Sequence, residues 1–169
     1  EDVLELFYTE LSKVIDTITD YTCRLIFVDD GSKDKTLEIL RSLAESHDNI
    51  NYISFSRNFG KEAAMYAGLD YSTGDYVVMM DADLQHPPTM IPDMIEGIKE
   101  GYDCCAARRT TRKGEAPIRS FFSSMFYKVN QKMTNIDLVQ GAVDFRIMTR
   151  DMVNSVLALS ERQRFSKGI

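Results

Sequence analysis

Two pairs of acids have the type and spacing to do chemistry. Asp81 and Asp83 lie two positions apart, so on an extended stretch their side chains project to the same side and can share one ion. Carboxylate oxygens suit hard divalent cations: magnesium takes one or two protein carboxylates and leaves substrate phosphates to complete its shell, and manganese favours the same ligands. Gln85 adds a neutral oxygen two residues on, and His86 a nitrogen that reads as part of a turn. The alternative is a loop in which both acids are simply hydrated, although two unpaired acids closing an apolar strand would repel and desolvate each other. The second pair, Asp29 and Asp30, precedes Gly31 and Ser32. A carboxylate there either serves a turn or accepts hydrogen bonds from a nucleoside, whose ribose hydroxyls and base N–H groups are donors.

The elements that must carry these acids alternate. Leu4, Leu6, Phe7, Leu11, Val14, Ile15 and Ile18 recur at three- and four-residue steps, which predicts an amphipathic helix over about residues 3–18. Residues 23–28 form a short apolar run closed by Asp29 and Asp30, the pattern of a buried strand ending in a turn. Ser32 or Asp34 can cap the next helix, which runs to about Ser46. Strands follow at 50–56, 75–80 and 102–107, with helices at 60–71 and from the Pro87-Pro88 opening to about Glu100. Beyond them come a basic loop over 108–116, a helix over 117–133, a strand over 142–148 and a helix over 150–159. Strands spaced by helices of this length predict βαβ crossovers, hence one α/β domain over residues 1–169 with a mostly parallel sheet covered on both faces. In such sheets ligands bind beyond the carboxyl ends of the strands, where both acid pairs fall.

Composition narrows the classes. The 169 residues are 44% apolar and 27% charged, enough for one sizeable core. Lysine and arginine number 20 against 26 acids, a net charge of −6 that offers nucleic acid no counterion-release surface. The longest apolar run is residues 76–80, far short of the roughly 20 residues a bilayer requires. No initiator methionine or leader pattern opens the chain, which reads as a fragment. Cys23, Cys104 and Cys105 have neither the count nor the spacing of a disulfide framework or zinc site; they read as small hydrophobes within strands in a reducing compartment.

Three runs, taken in order, carry a resemblance. The residues from Leu25 through Asp29-Asp30-Gly31-Ser32 to Thr36, then Ser56-Arg57-Asn58-Phe59-Gly60-Lys61, then Asp81-Ala82-Asp83-Leu84-Gln85-His86-Pro87-Pro88, resemble the family 2 glycosyltransferases. More narrowly they are similar to the polyprenyl-phosphate branch, which includes dolichyl-phosphate mannose synthases and bactoprenol glucosyltransferases. The resemblance implies a GT-A-like, Rossmann-like fold, with the family's first strand, which carries a nucleotide-gripping motif, lying ahead of this fragment. It implies transfer of a sugar from a UDP- or GDP-sugar to an undecaprenyl or dolichyl phosphate at the cytosolic face of a membrane, reached through regions outside these residues in a longer integral membrane protein; a homo-oligomer is left open. By motif position it assigns Asp29, Asp30 and Asp81 to the donor, and Asp81, Asp83 and Gln85 to a magnesium or manganese ion. Asp144, in the run Gly141-Ala142-Val143-Asp144-Phe145-Arg146, becomes the catalytic or acceptor-orienting acid, with Arg146 and Arg119 on phosphate.

One acidic candidate and no obvious protein nucleophile predict a single displacement with inversion. A glycan or other non-lipid acceptor, or a sugar-nucleotide pyrophosphorylase, stands as the alternative. Arg108, Arg109, Arg112 and Lys113 read either as a solvated loop or as a flap reaching phosphate. The apolar face of the 117–133 helix reads as core or as membrane contact. Lys61, at the start of a helix, is either solvent-exposed or in contact with donor phosphate, and is left unassigned.

Overall fold

In the computed structural model, which describes residues 3–108 and 142–159, the elements follow the expected order with bounds shifted by a few residues. They are α1 (Leu4–Ile15), β1 (Leu25–Asp29), α2 (Thr36–Ser46), β2 (Ile50–Ser54), α3 (Lys61–Tyr71), β3 (Tyr76–Met79), a 3-10 turn (Pro88–Met90), α4 (Ile91–Lys99), β4 (Cys104–Arg108), β5 (Ala142–Thr149) and α5 (Arg150–Ala158). The basic stretch from Arg109 through Arg112 and Lys113, the residue Arg119 and the 117–133 helix lie outside the described residues. Among those that are described, no helix is long and apolar enough to cross a membrane.

β1 and β2 pair in parallel, with Asp29 opposite Ser54. The other three strands form a second sheet in the order β3-β5-β4, with β5 antiparallel to both neighbours. The mostly parallel sheet expected from the strand-helix alternation therefore needs one correction. β3 and β4 run the same way, but β5 enters between them in the opposite direction and supplies both of their backbone hydrogen-bond ladders. Alternation along the sequence says which segments are strands and nothing about which edges meet.

Side-chain parity divides β5 into two faces. Phe145 and Ile147 point into the larger core with Phe7 and Leu11 of α1 and Ile91 and Ile95 of α4, while Met148 packs with Leu69 of α3 and Val153 of α5. β3 splits the same way: Val78 joins the first cluster, Val77 and Met79 the second. Helix spacing fits this layering, since the buried positions of α1 are Leu4, Phe7, Leu11 and Val14 and those of α4 are Ile91, Met94, Ile95 and Ile98. Both sheets share these layers: Phe27 of β1 belongs to the larger core, and α3 comes close enough to β1 that a Cβ at Gly68 would touch Val28.

Neither expected cap, Ser32 nor Asp34, takes the cap position of α2, which falls to Lys35 without a side-chain cap bond; Asp34 instead serves the turn just ahead of it. Its carboxylate accepts from the Thr36 amide at 3.0 Å, and the hydrogen bonds from the Thr36 hydroxyl and amide hold its pKa down to about 2. The cysteines are all half-buried, and burial pushes each thiol up from its ordinary range, away from the reactive thiolate. Cys104 and Cys105 lie on β4 as expected, whereas Cys23 sits just ahead of β1.

Candidate active site

The carboxyl ends of β1 and β2 open onto a cavity of about 730 Å³, lined by Asp29, Gly31 and Lys33 on one loop and by Ser54, Arg57 and Asn58 on the other. That volume falls in the range of ligand pockets, about 300–1,000 Å³. The parallel pairing makes the site, because it brings the β1–α2 and β2–α3 loops to the same edge.

Asp29 is buried, with 4% of its surface exposed, and its two oxygens are occupied: one accepts from the Ser32 amide and the other from the Ser54 hydroxyl, both at 3.0 Å. It thus stiffens the cavity floor. Asp30 turns to the neighbouring loop, where its two oxygens accept from the backbone amides of Phe59, at 2.7 Å, and Gly60, at 2.9 Å. Of the two readings open for this acid pair, turn and nucleoside, the hydrogen bonds present serve the loops. Arg57 lies over the Phe59 ring, 4.3 Å from its centroid, so cation and ring hold each other at the rim.

Gly31 marks the closest approach of the two loops. Its φ of +73° is a left-handed conformation, and a Cβ there would strike the Arg57 carbonyl carbon and lie 2.7 Å from Arg57 Cα and Asn58 N. Gly31→Ala forces the loops apart, and overpacking of this kind costs about 1–3 kcal/mol. The expected result is a urea midpoint lowered by an equivalent amount, followed by circular dichroism. Wild-type stability in that variant would show that the two loops are not in close contact at Gly31.

Asp30 has a second consequence through Gly60. Gly60 adopts φ +98° immediately before α3, and the clamp on its amide sets where Lys61, the first helical residue, begins. Lys61 Nζ lies 2.6 Å from Asp81 Oδ2 and 2.7 Å from Asp144 Oδ2. Parity explains the meeting: Asp144 shares the face of β5 that carries Met148 toward α3, and Asp81 follows β3, whose Val77 and Met79 face the same way. Arg146, buried and on the same face as Asp144, has its guanidinium 3.9 Å from Asp144 Oδ1. Partial burial disfavours the Lys61 ammonium, but its hydrogen bonds to Asp144 and Asp81 outweigh that cost and raise its pKa.

Asp83 does not follow Asp81. β3 ends at Met79, and residues 82–86 turn, with Leu84 at φ +59°, so the shared-side argument from extended spacing does not reach it. Its carboxylate accepts from the Gln85 amide at 3.0 Å, and both residues are exposed on the turn. His86 closes this turn as expected, its ring stacked 6.1 Å from that of Phe145. Among the described residues, no three His, Cys, Asp or Glu side chains are gathered as a metal cage. The donor types still fit a hard cation: the carboxylates of Asp81 and Asp83 and the side-chain oxygen of Gln85 are hard oxygen ligands, suited to an ion that draws its other ligands from phosphate.

The structure therefore brings Asp81, Asp144 and Arg146 together and sets Asp29 and Asp30 at the adjoining loops. Asp83 and Gln85 stand on the following turn, and Arg119 lies outside the described residues. Lys61 is the residue sequence reasoning left without a role. A signal was present in Asn58-Phe59-Gly60-Lys61, where a glycine suited to positive φ places a cation on the first turn of a helix.

Strand ends that converge on a pocket, with acids beside it, are the ligand-binding arrangement of an α/β fold. The chain belongs to glycosyl transferase family 2, whose family model matches residues 3–157. It is 44% identical over 169 residues to the uncharacterized glycosyltransferase sll0501 of Synechocystis, covering 100% of this chain and 53% of that protein. It is 37% identical over 169 residues to the bactoprenol glucosyl transferase of Shigella phage SfX, covering 100% of this chain and 55% of the relative. The chain thus spans about half the length of the relatives it matches. Among solved structures, the mannosyltransferase PcManGT from Pyrobaculum calidifontis, in complex with GDP-Man and Mn2+, superposes with a TM-score of 0.53 at 19% identity, covering 88% of this chain and 43% of that one; the likeness is one of fold.

Proposed function

We propose that these residues form the catalytic domain of an enzyme that transfers a sugar from a nucleotide-diphosphate donor to a polyprenyl phosphate at the cytosolic face of a membrane. The observation that carries this reading is the adjacency of the cavity to the acids. Asn58 lines the cavity and Lys61, three residues on, touches Asp81 and Asp144, a span of at most about 11 Å of chain. The lipid acceptor is supported by the relatives named bactoprenol glucosyl transferase. The family is one of glycosyl transferases, and nothing in the site favours the pyrophosphorylase alternative.

In this reading the nucleoside enters between the β1–α2 and β2–α3 loops, where Ser54, Lys33 and Asn58 offer polar groups. Asp81, Asp83 and Gln85 would hold magnesium or manganese, which would offset the charge developing on the departing diphosphate. An oxygen of the acceptor phosphate attacks the anomeric carbon as the bond to the nucleotide diphosphate breaks, which inverts the configuration. The acceptor is already anionic near neutral pH, so little proton removal is required. Asp144, held by Lys61, orients the acceptor, and Arg146 steadies that carboxylate from the other side.

The full-length protein, supplied with undecaprenyl phosphate and radiolabelled UDP-glucose or GDP-mannose, is expected to move label into the butanol-soluble lipid fraction. Chelation should stop the transfer, and NMR of the product should show the anomeric configuration inverted. Label confined to a water-soluble glycan would replace the lipid acceptor with the alternative one. A product that retains the donor's configuration would remove the single displacement.

A further inference from the structure

Lys61 is held between two carboxylates; the proposed reaction uses its contact with Asp144 and leaves its contact with Asp81 without a role. A carboxylate pair drawn to one place repels itself, and either an ammonium or a divalent cation relieves that repulsion. Here the Lys61 ammonium does so, reaching Asp81 Oδ2 at 2.6 Å and Asp144 Oδ2 at 2.7 Å, and the Arg146 guanidinium stands 3.9 Å from Asp144 Oδ1. Asp81 also belongs to the set expected to hold the metal, so its Oδ2 cannot serve both cations in the same way. The lysine can give way: its side chain is 47% exposed and it stands on the first turn of α3, next to Gly60.

We propose that Lys61 is a resident counter-ion that keeps Asp81 and Asp144 gathered and competes with the incoming divalent cation for Asp81. This rests on the reading that Asp81 is a metal ligand. Cation binding then releases the ammonium from Asp81, while Asp144 remains within its reach. Lys61 is in these terms a positioning residue, and the Asp30 clamp on Gly60 is what aims it.

The test is manganese binding without donor or acceptor, followed by the EPR signal of the free ion in the full-length protein. Lys61→Met removes the charge and preserves the stem, and is expected to tighten manganese binding about tenfold. Lys61→Arg preserves the charge and is expected to stay within about threefold of wild type. Lys61→Gln is a second neutral variant should the methionine perturb folding, which circular dichroism reports. In the unmutated protein, saturating manganese should also raise the acetylation rate of Lys61 relative to the other lysines, read by mass spectrometry. Unchanged or weaker manganese binding in both neutral variants, with Asp81→Asn abolishing binding, overturns the counter-ion role alone. Undiminished binding in Asp81→Asn, or no binding by any form, overturns the metal reading and this inference with it.

Discussion

Replacing Asp81 or Asp83 by alanine in the full-length enzyme is expected to lower turnover about 10²–10³-fold, the usual cost of losing one group that stabilises charge in a transition state. The two variants should differ in how they fail. Asp81 is tied to Lys61, so Asp81→Ala also leaves the ammonium on Asp144 alone and disturbs the acid proposed to orient the acceptor. Asp83 accepts a hydrogen bond within its own turn, from the Gln85 amide, so Asp83→Ala should impair donor-side chemistry and leave acceptor affinity near wild type. Steady-state kinetics with each substrate varied in turn separates the two patterns. Turnover within a few-fold of wild type in Asp83→Ala would remove that residue from the cation site.

Phe145→Ala is expected to destabilise the fold by about 3–5 kcal/mol, the range for emptying a buried aromatic position. Phe145 is fully buried on β5, with the α1 and α4 side chains around it and the His86 ring stacked on it. Against a typical domain stability of about 5–15 kcal/mol, that loss removes a large share of the total. The residue also lies between Asp144 and Arg146, and β5 is the strand on which both β3 and β4 pair. The cavity it would leave therefore loosens the strand that aims both side chains. Urea denaturation followed by circular dichroism measures the effect. A midpoint shift equivalent to less than about 1 kcal/mol would mean that the core relaxes around the gap and that Phe145 is not its keystone.

Much of the fold could be read from local pattern. The three- and four-residue spacing of Leu4, Phe7, Leu11 and Val14 defines one face of α1 whatever it packs against, and the same holds for Ile91, Met94, Ile95 and Ile98 of α4. The acids closing β1 and following β3 could be placed at strand ends because an apolar run that gives way to Asp-Asp-Gly or Asp-Ala-Asp passes from strand residues to turn formers. The proline pair at 87–88 marked an element start for a similarly local reason, although it opens a 3-10 turn before the α-helix proper.

Site assembly depended on contacts between residues far apart in the chain. Asp144 is 83 positions from Lys61, a separation at which no periodicity in the sequence carries information about contact. The antiparallel entry of β5 between β3 and β4 decides that meeting, and strand pairing is a competition among edges that local propensity does not rank. Asp30 could be seen as an acid on a turn, but its partners, the amides of Phe59 and Gly60, come from a loop that only the β1–β2 pairing brings near. The sequence by itself determined which segments are helix or strand, which faces are apolar and which chemical groups stand at strand ends, because those depend on neighbours within a few residues. Tertiary structure alone decided that Asp81 and Asp144 meet on Lys61, because that contact exists only once strands distant in sequence share their backbone hydrogen bonds.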